Sequence, residues 1–150
     1  MASQYRTARK KIVNALVKQI KEIDGNYPYN SNVFNNVHGN MIFLDQIQEY
    51  PKVCVVPRDE TRQYQPNEFK WRFLSLDIRV YVEDQEDPQE VLSLLCEDIE
   101  RVIDDNDVLT YDDTVSPNLT TTSLTLRSLS TDEGVLTPLG IGELTLECRY

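Results

Sequence analysis

His38, in NNVHGNM, is the single histidine of the chain. Together with the acidic runs DDND (104–107) and YDD (111–113) and the thiols of Cys54, Cys96 and Cys148, it holds most of the sequence's capacity for chemistry. Each falls short of a site. A lone imidazole, with no cysteine, serine or metal-spaced carboxylate beside it, makes neither a metal centre nor a triad, and it reads as a surface or turn histidine. The acidic runs lack the alternating ligands, central glycine and closing glutamate of a calcium loop, so they read as solvated loop. The cysteines are odd in number and far apart, without the C-x-x-C spacing of structural zinc, and sit in apolar runs (KVCVV, LSLLCEDI, LTLECRY) as buried free thiols. No phosphate-binding G-x-x-x-x-G-K-[ST] occurs, and LGIG lacks the third glycine of a dinucleotide fingerprint. No catalytic, metal or cofactor residue is assigned, and an enzyme is not expected.

Aromatic and basic side chains remain. Tyr27, Tyr29, Tyr64, Phe69 and Trp71 lie in or beside loops, interleaved with Arg58 and Arg62. Such residues anchor protein interfaces; the other reading of Trp71 is a core plug. Arg9 and Lys10 join the candidate interface set because charge is unevenly placed. The net charge is −10, yet residues 1–21 hold six basic residues and no acid, leaving 9 basic against 25 acidic residues, −16, over the rest. A basic segment on an acidic body suits an acidic protein surface better than nucleic acid.

The elements that must carry these residues follow from periodicity. Ile12, Leu16, Ile20 and Ile23 predict a helix over 5–23, with Gly25 as its stop. Residues 26–41 read as loop, with a short extended piece near Val33–Val37. A strand at Lys52–Val56 is ended or pushed to an edge by Pro57, and 58–69 is an exposed hairpin arm or loop. In KWRFLSLDIRVYVE, Leu74, Leu76, Ile78, Val80 and Val82 share one face. Phe69, Trp71 and Phe73 take the other parity, through a bulge near Phe73 or as a partner-facing surface. Asp87, Pro88 and Glu90 open a second helix as a D-x-x-E capping box. Its stripe is Val91, Leu95, Ile99 and Val102, joined by Leu92, Leu94 and Ile103, and its other face is acidic. After a loop at 104–118, two strands flank a turn at Asp132–Gly134, and the last places Leu144, Leu146, Cys148 and Tyr150 on one face. The expected fold is a single α/β (α+β) domain over 1–150, a mixed, mostly antiparallel sheet flanked by two main helices. No stretch is apolar enough to span a bilayer and no apolar h-region follows the basic N-terminus, so no membrane partner is expected and the expected compartment is a cytoplasm.

IVNALVKQIKEIDG, FLDQIQEYPKVCVV, PQEVLSLLCEDIERVI and the terminal TDEGVLTPLGIGELTLECRY, in this order, resemble the tail terminator (tail completion, neck) proteins of tailed bacteriophages. The resemblance implies a homo-hexameric ring on the head-proximal end of the tail tube. Such a ring ends tube polymerisation, joins head to tail and has no catalytic residue or cofactor. It also implies partners: the tail tube protein, a head-tail connector and, in a contractile tail, the sheath, with DNA passing through the lumen without specific binding. Its place would be the virion, assembled in the host cytoplasm. The arm Arg58–Asn67 and the loop Asn26–Asn40 are the expected contacts with tube or neighbour. Two alternatives stay open: a connector or stopper of the neck, and a small non-structural binding protein or hydrolase using His38 or the Asp104–Asp113 acids.

Overall fold

A computed structural model describes residues 8–150. Helix α1 spans Ala8–Ile20 and buries Ile12, Val13, Leu16 and Ile20, the face that the spacing predicts. Residues 5–7 of the expected helix lie outside the described residues, and regular helix ends at Ile20, before the predicted Ile23, which is nonetheless fully buried. A short β1 (Val37–His38) follows, then β2 (Lys52–Tyr64), β3 (Lys70–Glu83), helix α2 (Pro88–Asp105), β4 (Thr110–Asp112), β5 (Leu119–Thr120), β6 (Ser123–Thr131) and β7 (Leu139–Arg149). The main sheet runs β1-β2-β3-β7-β6, parallel only between β1 and β2, and β4 and β5 form a separate pair. The class is therefore the mixed, mostly antiparallel α+β arrangement expected.

Both helices cover one sheet face, α1 over β1 and β2 and α2 over β3, β7 and β6. Alternate residues of the strands meet them: Val53 and Val55, Leu74 to Val82, Leu124, and Leu144 to Cys148. Two glycines let α2 approach β7 closely. A Cβ on Gly140 would stand 3.2 Å from the Pro88 carbonyl oxygen at the start of α2, and one on Gly142 would stand 3.1 Å from Leu92 Cδ1. On the opposite face a smaller cluster of Ile47, Cys54 and Tyr81 lies under residues 41–50, and the Tyr81 hydroxyl donates to the Ile42 carbonyl at 3.3 Å.

Several expectations need correction. Strand β2 does not stop at Pro57: a bulge between Pro57 and Glu60 lets it continue to Tyr64, because β3 supplies a ladder partner that short-range sequence cannot reveal. That bulge is in β2; β3 pairs with β7 in unbroken register from Phe73 to Glu83, so Trp71 and Phe73 keep their parity and face away from the helices. The expected loop at 104–118 contains β4, and the turn before β7 extends through Pro138. At the start of α2, Asp87 Oδ1 accepts the Glu90 N–H at 3.1 Å, half of the expected box. The Asp87 N–H itself goes to Asp84 Oδ1 at 3.1 Å, where the box would have sent it to Glu90. Leu94 is exposed and Val91 only half-buried, whereas Asp98, expected on the acidic outer face, is fully buried. Its carboxylate accepts the N–H groups of Asn30 and Ser31, at 3.0 and 2.7 Å, and tethers the 26–36 loop to α2.

Candidate functional site

The hairpin β2–β3 gathers most of the candidate interface residues. Its tip carries Tyr64 and Phe69, 74% and 49% exposed. Lys70 Nζ stands 5.7 Å from the Tyr64 ring centre, and Phe69 meets Trp71 edge-on with centroids 4.8 Å apart. Trp71 belongs to neither apolar cluster. It is half-buried on the helix-free face beneath the Arg149 guanidinium, at 4.4 Å, so the core-plug reading of this residue is corrected. That face closes its own charges across the strands: Arg58 with Asp77 at 3.4 Å, Arg79 with Glu143 at 3.3 Å, and Arg127 with Glu147 at 2.5 Å. The Arg79–Glu143 and Arg127–Glu147 pairs are solvent-exposed and contribute about 0–1 kcal/mol each to stability, whereas Asp77 is buried and also accepts the Thr145 hydroxyl.

Behind the hairpin, four segments that are distant in sequence enclose a cleft of about 620 Å³. Arg9 and Lys11 reach it from α1, Glu60 and Arg62 from β2, Arg72 from β3, and Tyr111 and Asp112 from β4. Val115, Pro117, Leu119 and Tyr150 complete the wall. Each acidic side chain is already engaged. The Glu60 carboxylate, 3% exposed, accepts from Arg62 Nη2 at 2.6 Å and from the Tyr150 hydroxyl. Asp112 pairs with Lys11 Nζ at 2.7 Å and accepts the Thr114 hydroxyl at 2.6 Å. These hydrogen bonds, Lys11 first, hold its carboxyl down at about 2. Burial, then the hydrogen bond to Glu60 and its charge, push the Tyr150 phenol well above its usual range. Arg72 lies over the Tyr150 ring at 5.7 Å, and Tyr111 meets that ring edge-on at 6.2 Å. Neither Arg9 nor Arg72 makes an ion pair among the described residues.

At the far end of the sheet the charge is reversed. The end of β3 and the loop to α2 carry Glu83, Asp84, Glu86 and Asp87, and the β6–β7 turn carries Asp132 and Glu133, without an intervening Lys or Arg in either segment. Gln89 Nε2 donates to Asp132 Oδ1 at 2.9 Å and joins the two segments. Asp132 Oδ2 accepts the Leu136 N–H at 3.1 Å, fixing a turn whose Val135 and Leu136 are 81% and 40% exposed.

The remaining candidates scatter. Tyr27, at 97% exposure, stands clear on the loop held by Asp98, whereas Tyr29 packs against the main core. Lys10 is exposed beside the Gly39 loop. His38 is half-buried in β1, contrary to the surface reading; burial, then Lys52 and Lys21, lower its pKa. The three cysteines are free and buried, as expected. Among the described residues no cluster of three or more His, Cys, Asp or Glu is arranged for a metal, and no helix is long and apolar enough to cross a membrane. The basic and acidic helices do not neutralise each other: among the described residues no ion pair joins α1 to α2. Sequence reasoning missed the cleft, whose lining comes from separate segments. It also took Asp112 for solvated loop, although its side chain is 6% exposed and paired. The one local sign was the D-x-T spacing of Asp112 and Thr114, which favours an Asx turn.

A family model described as Bacteriophage Tail Tube Terminator Protein matches residues 6–150. The chain is 40% identical over 151 residues to the tail tube terminator protein p142 of Escherichia phage T5, covering 95% of this chain and 92% of that one. In three dimensions it is similar to a chain in the virion of a native gene transfer agent particle. The TM-score is 0.65 at 11% identity, with 92% of each chain covered, a likeness of fold.

Proposed function

Since the chain belongs to the bacteriophage tail tube terminator family, structural proteins of the phage tail, we propose that it caps the head-proximal end of the tube as a ring of six copies. The cap ends tube polymerisation and presents the surface that joins head to tail. The observation that carries this reading is the family match, which covers the whole of the described chain. A ring needs two different, complementary patches on each subunit. The opposite charge of the two sheet ends supports that requirement. The hairpin tip, with Tyr64 and Phe69 exposed, is the natural contact with the tube. The partners are then the tube protein on one side and the connector, or in a contractile tail also the sheath, on the other, with DNA crossing the lumen unbound. The chain acts by occupying a place and catalyses no reaction.

The test is light scattering and negative-stain imaging of the purified protein, alone and with terminator-free tails. Six-membered rings, and tubes of fixed length when the protein is added, are the expected result. Tyr64→Ala/Phe69→Ala should fold and fail to cap. A stable dimer that ignores tubes, or binding to the portal-side ring in place of the tube, would overturn the reading, the latter in favour of a connector.

A further inference from the structure

We propose that the acidic β6–β7 turn of one copy seats in the basic cleft of a second copy. This deepens the ring reading above and rests on it. Two observations made at opposite ends of the molecule carry it. The cleft has four cationic side chains against two carboxylates, and both carboxylates are already bonded to cleft residues, so Arg9 and Arg72 face the opening uncompensated in a chain of net charge −10. Its walls are mixed, with Val115, Pro117 and Leu119 offering apolar surface. The turn supplies the complement: Glu133 for the arginines, and Val135 and Leu136 for the apolar wall. A turn whose backbone is fixed by Asp132 pays little ordering entropy on docking.

The geometry makes the contact intermolecular. Tyr150 in the cleft and the turn lie at the two ends of β7, which has 11 residues, or about 33 Å at the rise of a strand. The turn of one chain therefore cannot reach that chain's own cleft. The other acidic run, Asp104–Asp107, immediately precedes β4 and so lies on the cleft's own side of the molecule. The helix-free face competes less well because Arg58, Arg79 and Arg127 are already paired and Arg149 lies against the Trp71 ring. Contact between unlike patches is head-to-tail, the kind that closes into rings.

Complementary knock-outs test it. Arg9→Glu/Arg72→Glu disables the cleft, and Glu133→Lys/Val135→Ser disables the turn through two exposed residues with no part in the core. Sedimentation at about 50 mM salt should show each variant's self-association weakened roughly 30-fold or more, as for loss of interface anchors. An equimolar mixture should stop at heterodimers, because each such pair retains one intact cleft and one intact turn. Circular dichroism verifies folding, and the turn variant suffices if the cleft variant is damaged. Variants that close rings like the native chain would overturn this contact and leave the ring reading standing. A native chain that stays monomeric to about millimolar concentration, where even weak contacts populate, and also on tail tubes, would overturn both. Binding of the cleft to a tube or connector protein in preference to the turn would overturn it in favour of another partner.

Discussion

Replacing Asp98 by alanine removes the tether between α2 and the 26–36 loop, and the size of the loss follows from its contacts. The carboxylate is fully buried and accepts the N–H of Asn30 at 3.0 Å, that of Ser31 at 2.7 Å and Asn30 Nδ2 at 3.2 Å. Hydrogen bonds to a charged group are worth about 1.5–3 kcal/mol each. Asn30 is exposed and regains water in the variant, whereas Ser31 is half-buried and regains less. The net cost is therefore about 3 kcal/mol, well short of three full bonds. With a urea slope of about 2 kcal/mol per molar, the unfolding midpoint falls by about 1.5 M. Asp98→Asn keeps one acceptor and should lose about half as much. Urea titration followed by circular dichroism reads both, and hydrogen exchange should show the Ser31 amide losing protection. A midpoint for Asp98→Ala within about 0.3 M of the native chain would refute the reasoning, as would equal losses for the two variants.

Four other outcomes follow. Gly142→Ala pushes a methyl against Leu92 and Cys96 Sγ, at 3.1 and 3.3 Å, and should cost about 1–3 kcal/mol by thermal or urea unfolding. Cys96 and Cys148, whose thiols burial pushes up to about 11 and about 12, should resist maleimide at pH 8 in the native chain and react fully in denaturant. By NMR the Asp112 carboxyl should titrate near about 2, and in Lys11→Met it should move back towards 3.8. Because its folded pKa is lowered, its stabilisation is complete above the unfolded value and is lost as pH falls through the folded one. Arg149→Ala uncovers Trp71, so acrylamide quenching of its fluorescence should rise while stability changes by about 1 kcal/mol.

Legibility followed locality. The stripe of α1, the Asp87 cap of α2 and the alternation of β3 and β7 are each written within a dozen residues, and each is where the spacing puts it. The run Arg58–Tyr64 is polar and follows a proline, and only its pairing with β3 makes it a strand. Asp98 has the same neighbours in sequence as an exposed helical acid; what buries it is a loop 67 residues away. Of the candidate interface set, the exposure of Tyr64 and Phe69 was legible because they stand in a polar stretch without an apolar period. The cleft was not, since Arg9, Glu60, Arg72, Asp112 and Tyr150 meet only after the sheet and α1 have packed.

The two faces of the sheet are interleaved one residue at a time. In β3, Leu74, Leu76 and Ile78 meet the helices, while Phe73, Ser75 and Asp77 between them belong to the other side. A substitution can thus rewrite the outward surface without touching the interior, and two lineages can diverge in what they bind while sharing one core. Inserting or deleting a single residue has no such freedom, for it would turn Asp77 inward and Ile78 outward along the rest of the strand. Connections such as the hairpin tip and the β6–β7 turn can take a change of length, where a change in reach alters which neighbour is touched and leaves the sheet's arithmetic of odd and even positions intact.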